Sequence, residues 1–242
     1  MTDYRYFTND SIKASTGLVA AYNFKPSGST LVDISGEGND GTISGALSTK
    51  DGMAFDGVDD YVTIANADNL NMSSITIVSK ININNISGER VIIEKSYSYG
   101  WELMINNGQI KVDARINGIY LSGLHLVSTI SINQYNNILW TYDKATNKSK
   151  IYLNGVLQEI ITLAAGDGSG LETNALRMYI GSRNGSGLFF DGEIADLKIY
   201  NYAFTPQQAK DYSNSFIKPV LRDSFKDSGA DGIVKTPQGW IE

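Results

Sequence analysis

Residues 149–160 read "SKIYLNGVLQEI", and their reading decides the fold class. Asn154 and Gly155 tolerate the positive φ that a tight two-residue turn demands, so the flanking segments are two strands of one hairpin. The signal recurs along the chain, at Asn39-Asp40-Gly41, Asn107-Gly108, Asn117-Gly118 and Asn184-Gly185. Between the turns lie runs of period two, the spacing of side chains on one face of a strand. Residues 74–83 place Ile75, Ile77, Ile81 and Ile83 on one side, interrupted by Ser79. Residues 137–143 do the same with Ile138, Trp140 and Tyr142, and residues 194–200 with Ala195, Leu197 and Ile199. Many short strands with frequent turns predict an all-β chain, folded as a two-sheet antiparallel sandwich.

A single helix interrupts this pattern. In "FTPQQAKDYSN" (204–214), Thr205 is placed to cap the helix, Pro206 to begin it, and Gln208 to close a capping box. Three segments are therefore expected: an N-terminal arm over 1–16, the main domain over 17–216, and a tail over 217–242. The tail is richer in Pro, Gly and Asp, and reads as a linker, a docking arm or the start of a further β module.

Composition removes several function classes. A net charge of −6 gives no electrostatic footprint for nucleic acid, and the basic residues are scattered singly, as no membrane-docking patch would be. No apolar run approaches the roughly 18 residues that span a bilayer, so no membrane insertion is expected. Without cysteine there are no disulfides and no thiolate metal sites. The single histidine, His125, lies in the β-like run "LHLVSTI" and shows no partners in sequence, so it reads as a half-buried strand residue.

Three ordered segments carry a family resemblance. They are "GLVAAYNFKPSGSTLVDISGEGNDGTISGA" (17–46), "FDGVDDYVTI" (55–64) and "YIGSRNGSGLFFDGEIADLKIYNYAFTPQQAKDY" (179–212), with "NNILWTYDKATNKSKIYLNGVLQEI" (136–160) between the last two. Together they resemble the laminin-G-like jelly roll of the concanavalin A-like lectin/glucanase superfamily, in its bacterial and pentraxin-like branch. The resemblance implies a jelly-roll sandwich of two stacked sheets closed by one short C-terminal helix. Where that family usually carries a His-His pair, this chain has "YNNILWTYD" (135–143).

The superfamily includes glucanases, so the carboxylates are weighed as catalysts. Retaining glycosidases hold two carboxyl groups about 5–5.5 Å apart. Glu89 and Glu94 are an odd number apart and would face opposite sides of a regular strand, while Glu102 has no acidic residue two or four positions away. No enzyme is expected, and a glycoside hydrolase is the disfavoured alternative. Asp56, Asp59 and Asp60 read as turn chemistry, because Asp side chains accept from turn N–H groups beside a left-handed glycine.

The resemblance implies one structural Ca²⁺ between the opening loop and the last strand, with Asp33 and Asp196 as ligands and Asn39 as a third. Calcium takes six to eight oxygens, and the competing reading is an Asx-turn at Asp33 with a solvated Asp196. For a glycan, Tyr97, Tyr99 and Trp101 in "KSYSYGWELMI" supply stacking rings, although hairpin or core packing explains them equally well. Two settings follow. One is a structural or decoration protein of a bacteriophage virion, partnered by other virion proteins or its own subunits, favoured by an N-terminus without a signal pattern. The other is a carbohydrate-binding adhesion module of a bacterial surface or secreted protein, with a cell-surface glycan as partner.

Overall fold

The computed structural model describes residues 17–96, 98–164 and 168–215. The expected N-terminal arm, the tail and Tyr97 lie outside the described residues. Two eight-stranded antiparallel sheets stack face to face. The first runs β14 (Val156–Thr162), β13 (Lys148–Leu153), β12 (Tyr135–Asp143), β7 (Ile75–Ile83), β16 (Asp191–Tyr200), β5 (Met53–Asp56) and β4 (Leu47–Ser48), with β1 (Leu18–Tyr22) also paired to β16. The second runs β11 (Ile119–Thr129), β10 (Gln109–Ile116), β9 (Trp101–Asn106), β8 (Glu89–Lys95), β15 (Met178–Ile180), β6 (Tyr61–Ile64), β3 (Gly41–Ser44) and β2 (Thr30–Leu31).

The period-two runs supply the interior. Ile75, Ile77, Ile81, Ile83, Ile138, Trp140 and Tyr142 are all buried in the core between the sheets. Each such side chain contributes roughly 1.5–3 kcal/mol by leaving water. Strand β16 corrects one expectation. A bulge between Ile194 and Asp196 shifts its register, so Ile194 rather than Ala195 joins Leu197 and Ile199 in the core. The extra residue cannot be seen in an alternation count.

Helix α1 (Pro206–Ser215) closes the described fold. Its capping box forms as expected, with the Gln208 N–H donating to Thr205 Oγ1 (3.2 Å) and the Thr205 N–H to Gln208 Oε1 (2.9 Å). The helix covers the outer face of the first sheet. There Phe204 and Ala209 join Val78, Leu139, Tyr152 and Tyr200 in a second, smaller apolar cluster, with Tyr212 packed against it. Among the described residues no helix covers the outer face of the second sheet, and there the polar chemistry collects.

Candidate functional site

Strand β9 shows how the outer face is built. Trp101, Leu103 and Ile105 point into the core, so Glu102 and Met104 point outward. Glu102 lies directly opposite Glu94 of β8 on one side and Asp113 of β10 on the other. Three carboxylates thus form a row across three neighbouring strands. Side chains directly opposite in a sheet stand about 4.5–5.5 Å apart at Cβ, so the row places like charges in contact range.

A bulge between Val91 and Ile93 adds Glu89 to the same face. Counting parity through a regular strand separates Glu89 from Glu94; the extra residue cancels that offset. Sequence reasoning missed the row for two reasons. Its members sit on different strands, and the bulge hides the alignment of the two that share one.

Two cations hold this charge. Arg183, from the loop after β15, grips Glu102 in a two-pronged pair, Nε to Oε1 at 2.9 Å and Nη2 to Oε2 at 2.6 Å. Lys111 Nζ reaches Glu89 Oε1 at 2.7 Å and Asp113 Oδ2 at 3.1 Å. Backbone donors complete the set: the Asn184 N–H donates to Glu94 Oε1 (2.6 Å) and the Gly123 N–H to Asp113 Oδ1 (2.5 Å). Glu94, Glu102 and Asp113 are all buried. Burial pushes the Glu102 carboxyl up, the Arg183 pair pulls it back, and the charges of Asp113 and Glu89 add to the rise. At Lys111 burial works against the ammonium, and hydrogen bonds to Glu89 and Asp113 outweigh it, so its pKa is raised.

Beside this row lies an aromatic patch. Tyr61 of β6 and Tyr179 of β15 are half-buried, with ring centroids 6.1 Å apart and planes tilted by 55°. Val62 and Ile180 are in the core, so both rings face outward. Tyr179 is paired with Thr63, Thr63 with Thr42, and Tyr61 with Ser44, which lines the rings with hydroxyls. The loop closes on one side of the patch. A Cβ at Gly185 (φ +66°) would stand 3.2 Å from carbons of both rings, so glycine lets the backbone approach both without displacing them.

The residues expected to bind ligand divide. Tyr99 is 62% exposed at the turn before β9. Trp101 is 2% exposed and stacks against Trp140 inside the core (6.2 Å, 54°), so its ring offers no face to a glycan. Packing claimed this ring because its neighbours Leu103 and Ile105 share its inward side. Next to the turn, Lys95 is buried, donates to Asn66 Oδ1 and the Leu176 carbonyl, and is pushed down to about 8 by burial.

The expected calcium ligands do not fit an ion. Asp33 is buried, and its carboxylate accepts four protein hydrogen bonds: Oδ1 from the Ala21 and Ser35 N–H groups, Oδ2 from Ser35 Oγ and the Asn39 N–H. A carboxylate offers about four acceptor positions, so none is left for a metal. The Asn39 amide is turned to the Val19 carbonyl. Asp196 holds the Lys198 ammonium (2.8 Å) and the Tyr212 hydroxyl (2.7 Å), so a lysine already supplies its positive charge. Asp33 thus ties the opening loop to β1, and Asp196 ties β16 to α1.

Among the described residues, one group of three acidic side chains lies within ligand distance, Asp56, Asp59 and Asp60. Its oxygens serve the hairpin. Asp56 Oδ1 accepts the Val58 N–H (2.8 Å), and Asp60 Oδ2 accepts the Asp56 N–H (2.9 Å).

His125 departs furthest from its expected role. It is fully buried, with Nδ1 2.7 Å from Glu159 Oε2 and Nε2 2.7 Å from Ser149 Oγ. Ser149 Oγ also accepts Trp140 Nε1–H (2.9 Å), and in the neutral imidazole the proton sits on Nδ1 facing the Glu159 carboxylate, so Nε2 accepts from the serine hydroxyl. The order Ser–His–Glu matches that of a hydrolytic triad, but Ser149 has no exposure to a substrate. The three residues join β11 of the second sheet to β13 and β14 of the first, across one side of the sandwich.

A sequence profile of the concanavalin A-like lectin/glucanase superfamily, laminin G type, matches residues 56–210. The chain belongs to this family. Solved structures agree on the fold. The receptor binding domain of botulinum neurotoxin C/D mosaic serotype superposes with a TM-score of 0.65 at 18% identity, over 86% of this chain and 52% of that one. The binding domain of Paraclostridial Mosquitocidal Protein 1 gives 0.65 at 14% identity, over 85% and 53%. Trypanosoma rangeli sialidase gives 0.61 at 17%, over 82% and 33%. The laminin-G-like chain spans about half the length of the two binding domains and a third of the sialidase. No curated protein sequence matches it.

Proposed function

We propose that this laminin-G-like domain is a non-enzymatic carbohydrate-binding module that takes its glycan on the outer face of the second sheet, against Tyr61 and Tyr179. The observation that carries the reading is the pair of half-buried rings facing outward beside Thr42, Ser44 and Thr63. Sugar rings stack on aromatic faces, and their hydroxyls need polar neighbours. Kinship with a lectin superfamily and similarity in fold to toxin receptor-binding domains support the same reading.

Among the described residues, the buried carboxylates of this face are already engaged. Both Glu102 oxygens are held by Arg183, and the adjoining carboxylates of Glu94 and Asp113 are buried under backbone donors. A nucleophile or general acid must instead reach substrate.

A glycan array on the full chain, followed by titration of the best binder, tests the proposal. Tyr61→Ala and Tyr179→Ala should each weaken binding about tenfold, as loss of one ring contact of about 1.4 kcal/mol predicts. Undiminished affinity in the double variant overturns the site, and release of reducing sugar overturns the non-enzymatic reading. Its setting, a virion with structural partners or a bacterial surface, is tested by mass spectrometry of purified phage particles.

A further inference from the structure

Residues 182–187, "SRNGSG", turn the chain between β15 and β16. Asn184 (φ +55°) and Gly185 (φ +66°) both lie in the left-handed region, and the Ser186 N–H donates to the Arg183 carbonyl (3.0 Å), as a type I′ turn requires. The other N–H groups of residues 183–185 are bonded too. Arg183 donates to the Gly187 carbonyl (2.8 Å), Asn184 to Glu94 Oε1 (2.6 Å) and Gly185 to Ser182 Oγ (3.1 Å). Two anchors of this turn are buried carboxylates: Glu102 holds the Arg183 guanidinium with both oxygens, and Glu94 holds the next residue's N–H. Hydrogen bonds to ionised groups are roughly twice as strong as neutral ones. Glu94 stands directly opposite Tyr179 in the sheet, so the turn is pinned next to the ring pair, where Gly185 meets both rings.

We infer that Glu94 and Glu102 are positioning residues of the glycan site, and that the turn they hold is its specificity element. The inference rests on the ring site proposed above. Stacking rings accept the faces of many sugars, whereas a polar group in a fixed place distinguishes the direction of a single hydroxyl. Among the described residues the turn presents exposed Asn184 and Ser186 beside the rings, an amide that donates and accepts and a hydroxyl that does both. With its N–H groups already bonded, the turn has little order left to lose when sugar binds. The carboxylate row thus acts through the turn and never touches sugar.

The test uses the full chain. Hydrogen exchange at residues 184–186 should be slow in the unaltered protein and in Glu94→Gln, which keeps an acceptor oxygen, and about tenfold or more faster in Glu94→Ala. Fast exchange in the unaltered protein, or none gained in Glu94→Ala, overturns the positioning role. Lactose, cellobiose and β-1,4-mannobiose, which differ in the direction of hydroxyls at C2 or C4, then probe selection. The unaltered protein and Glu94→Gln should separate strongest from weakest by about tenfold or more, and Glu94→Ala by about threefold or less. Asn184→Gly, an exposed change that keeps the left-handed backbone, should lose the same discrimination. Discrimination kept in both Glu94→Ala and Asn184→Gly, or missing from the unaltered protein, overturns the inference while the ring site stands. Binding of none of the three sugars, with no glycan bound on the array, overturns the ring site itself.

Discussion

The two outer faces of the sandwich bury their sheets by opposite means. On the first sheet, α1 lays Phe204 and Ala209 over Val78, Leu139 and Tyr200, and a second apolar core results. On the second sheet, a loop lays Arg183 over a row of carboxylates, and burial there depends on charge pairing. Apolar cover is insensitive to which residue meets which. A charge row is stable only while every member keeps its partner, because an unpaired buried ion loses its hydration without return. The first face thus carries a second apolar core, whereas the second holds its polar groups and tyrosines in fixed positions.

The sharpest way to break this comparison is to remove one partner from the row. Arg183→Leu should destabilise the domain by about 3–5 kcal/mol in urea denaturation, because Glu102 stays buried without its cation. Adding Glu102→Leu should recover much of that loss, and a double variant no better than the single one contradicts the pairing account. On the helix side, Phe204→Ala should cost about 3 kcal/mol as a cavity, with no second change that repairs it.

Acidity separates the two sides of the molecule further. Burial holds the His125 imidazole below its ordinary value of 6.5, against the opposing pull of Glu159. The unfolded chain then takes up the proton more readily than the folded one, so stability is present above pH 6.5 and is lost as pH falls through the folded value. Measured from pH 7 to 5, the unaltered protein should lose stability more steeply than His125→Gln. Equal slopes in the two proteins would remove His125 from the account.

Smaller effects complete the series. A chelator should leave the melting temperature unchanged, since Asp33 and Asp196 already have protein partners, and Asp196→Ala should cost about 1–3 kcal/mol, because it strips Lys198 and the Tyr212 hydroxyl of a partner. A downward shift with chelator would restore the calcium reading. Tyr99→Ala should stay within about 0.5 kcal/mol of the unaltered chain, as an exposed turn residue does.

The sequence alone determined the architecture. Period-two isoleucines, Asn-Gly turns and the Thr205–Gln208 capping box are local features, and local physics is enough to read strands, hairpins and one helix from them. The candidate site was hardly legible. Glu94, Glu102 and Asp113 meet because three strands lie side by side in one register, and Glu89 joins them through a bulge. Tyr61 and Tyr179 are far apart in the chain and adjacent in the sheet. His125 looked solitary because Ser149 and Glu159 belong to the other sheet. Trp101 looked like a binding ring in its local context and became core because its side of β9 faces Trp140. Turn residues act on their neighbours in sequence, whereas carboxylates, rings and imidazoles act on their neighbours in space, and only the paired sheets decided which those were.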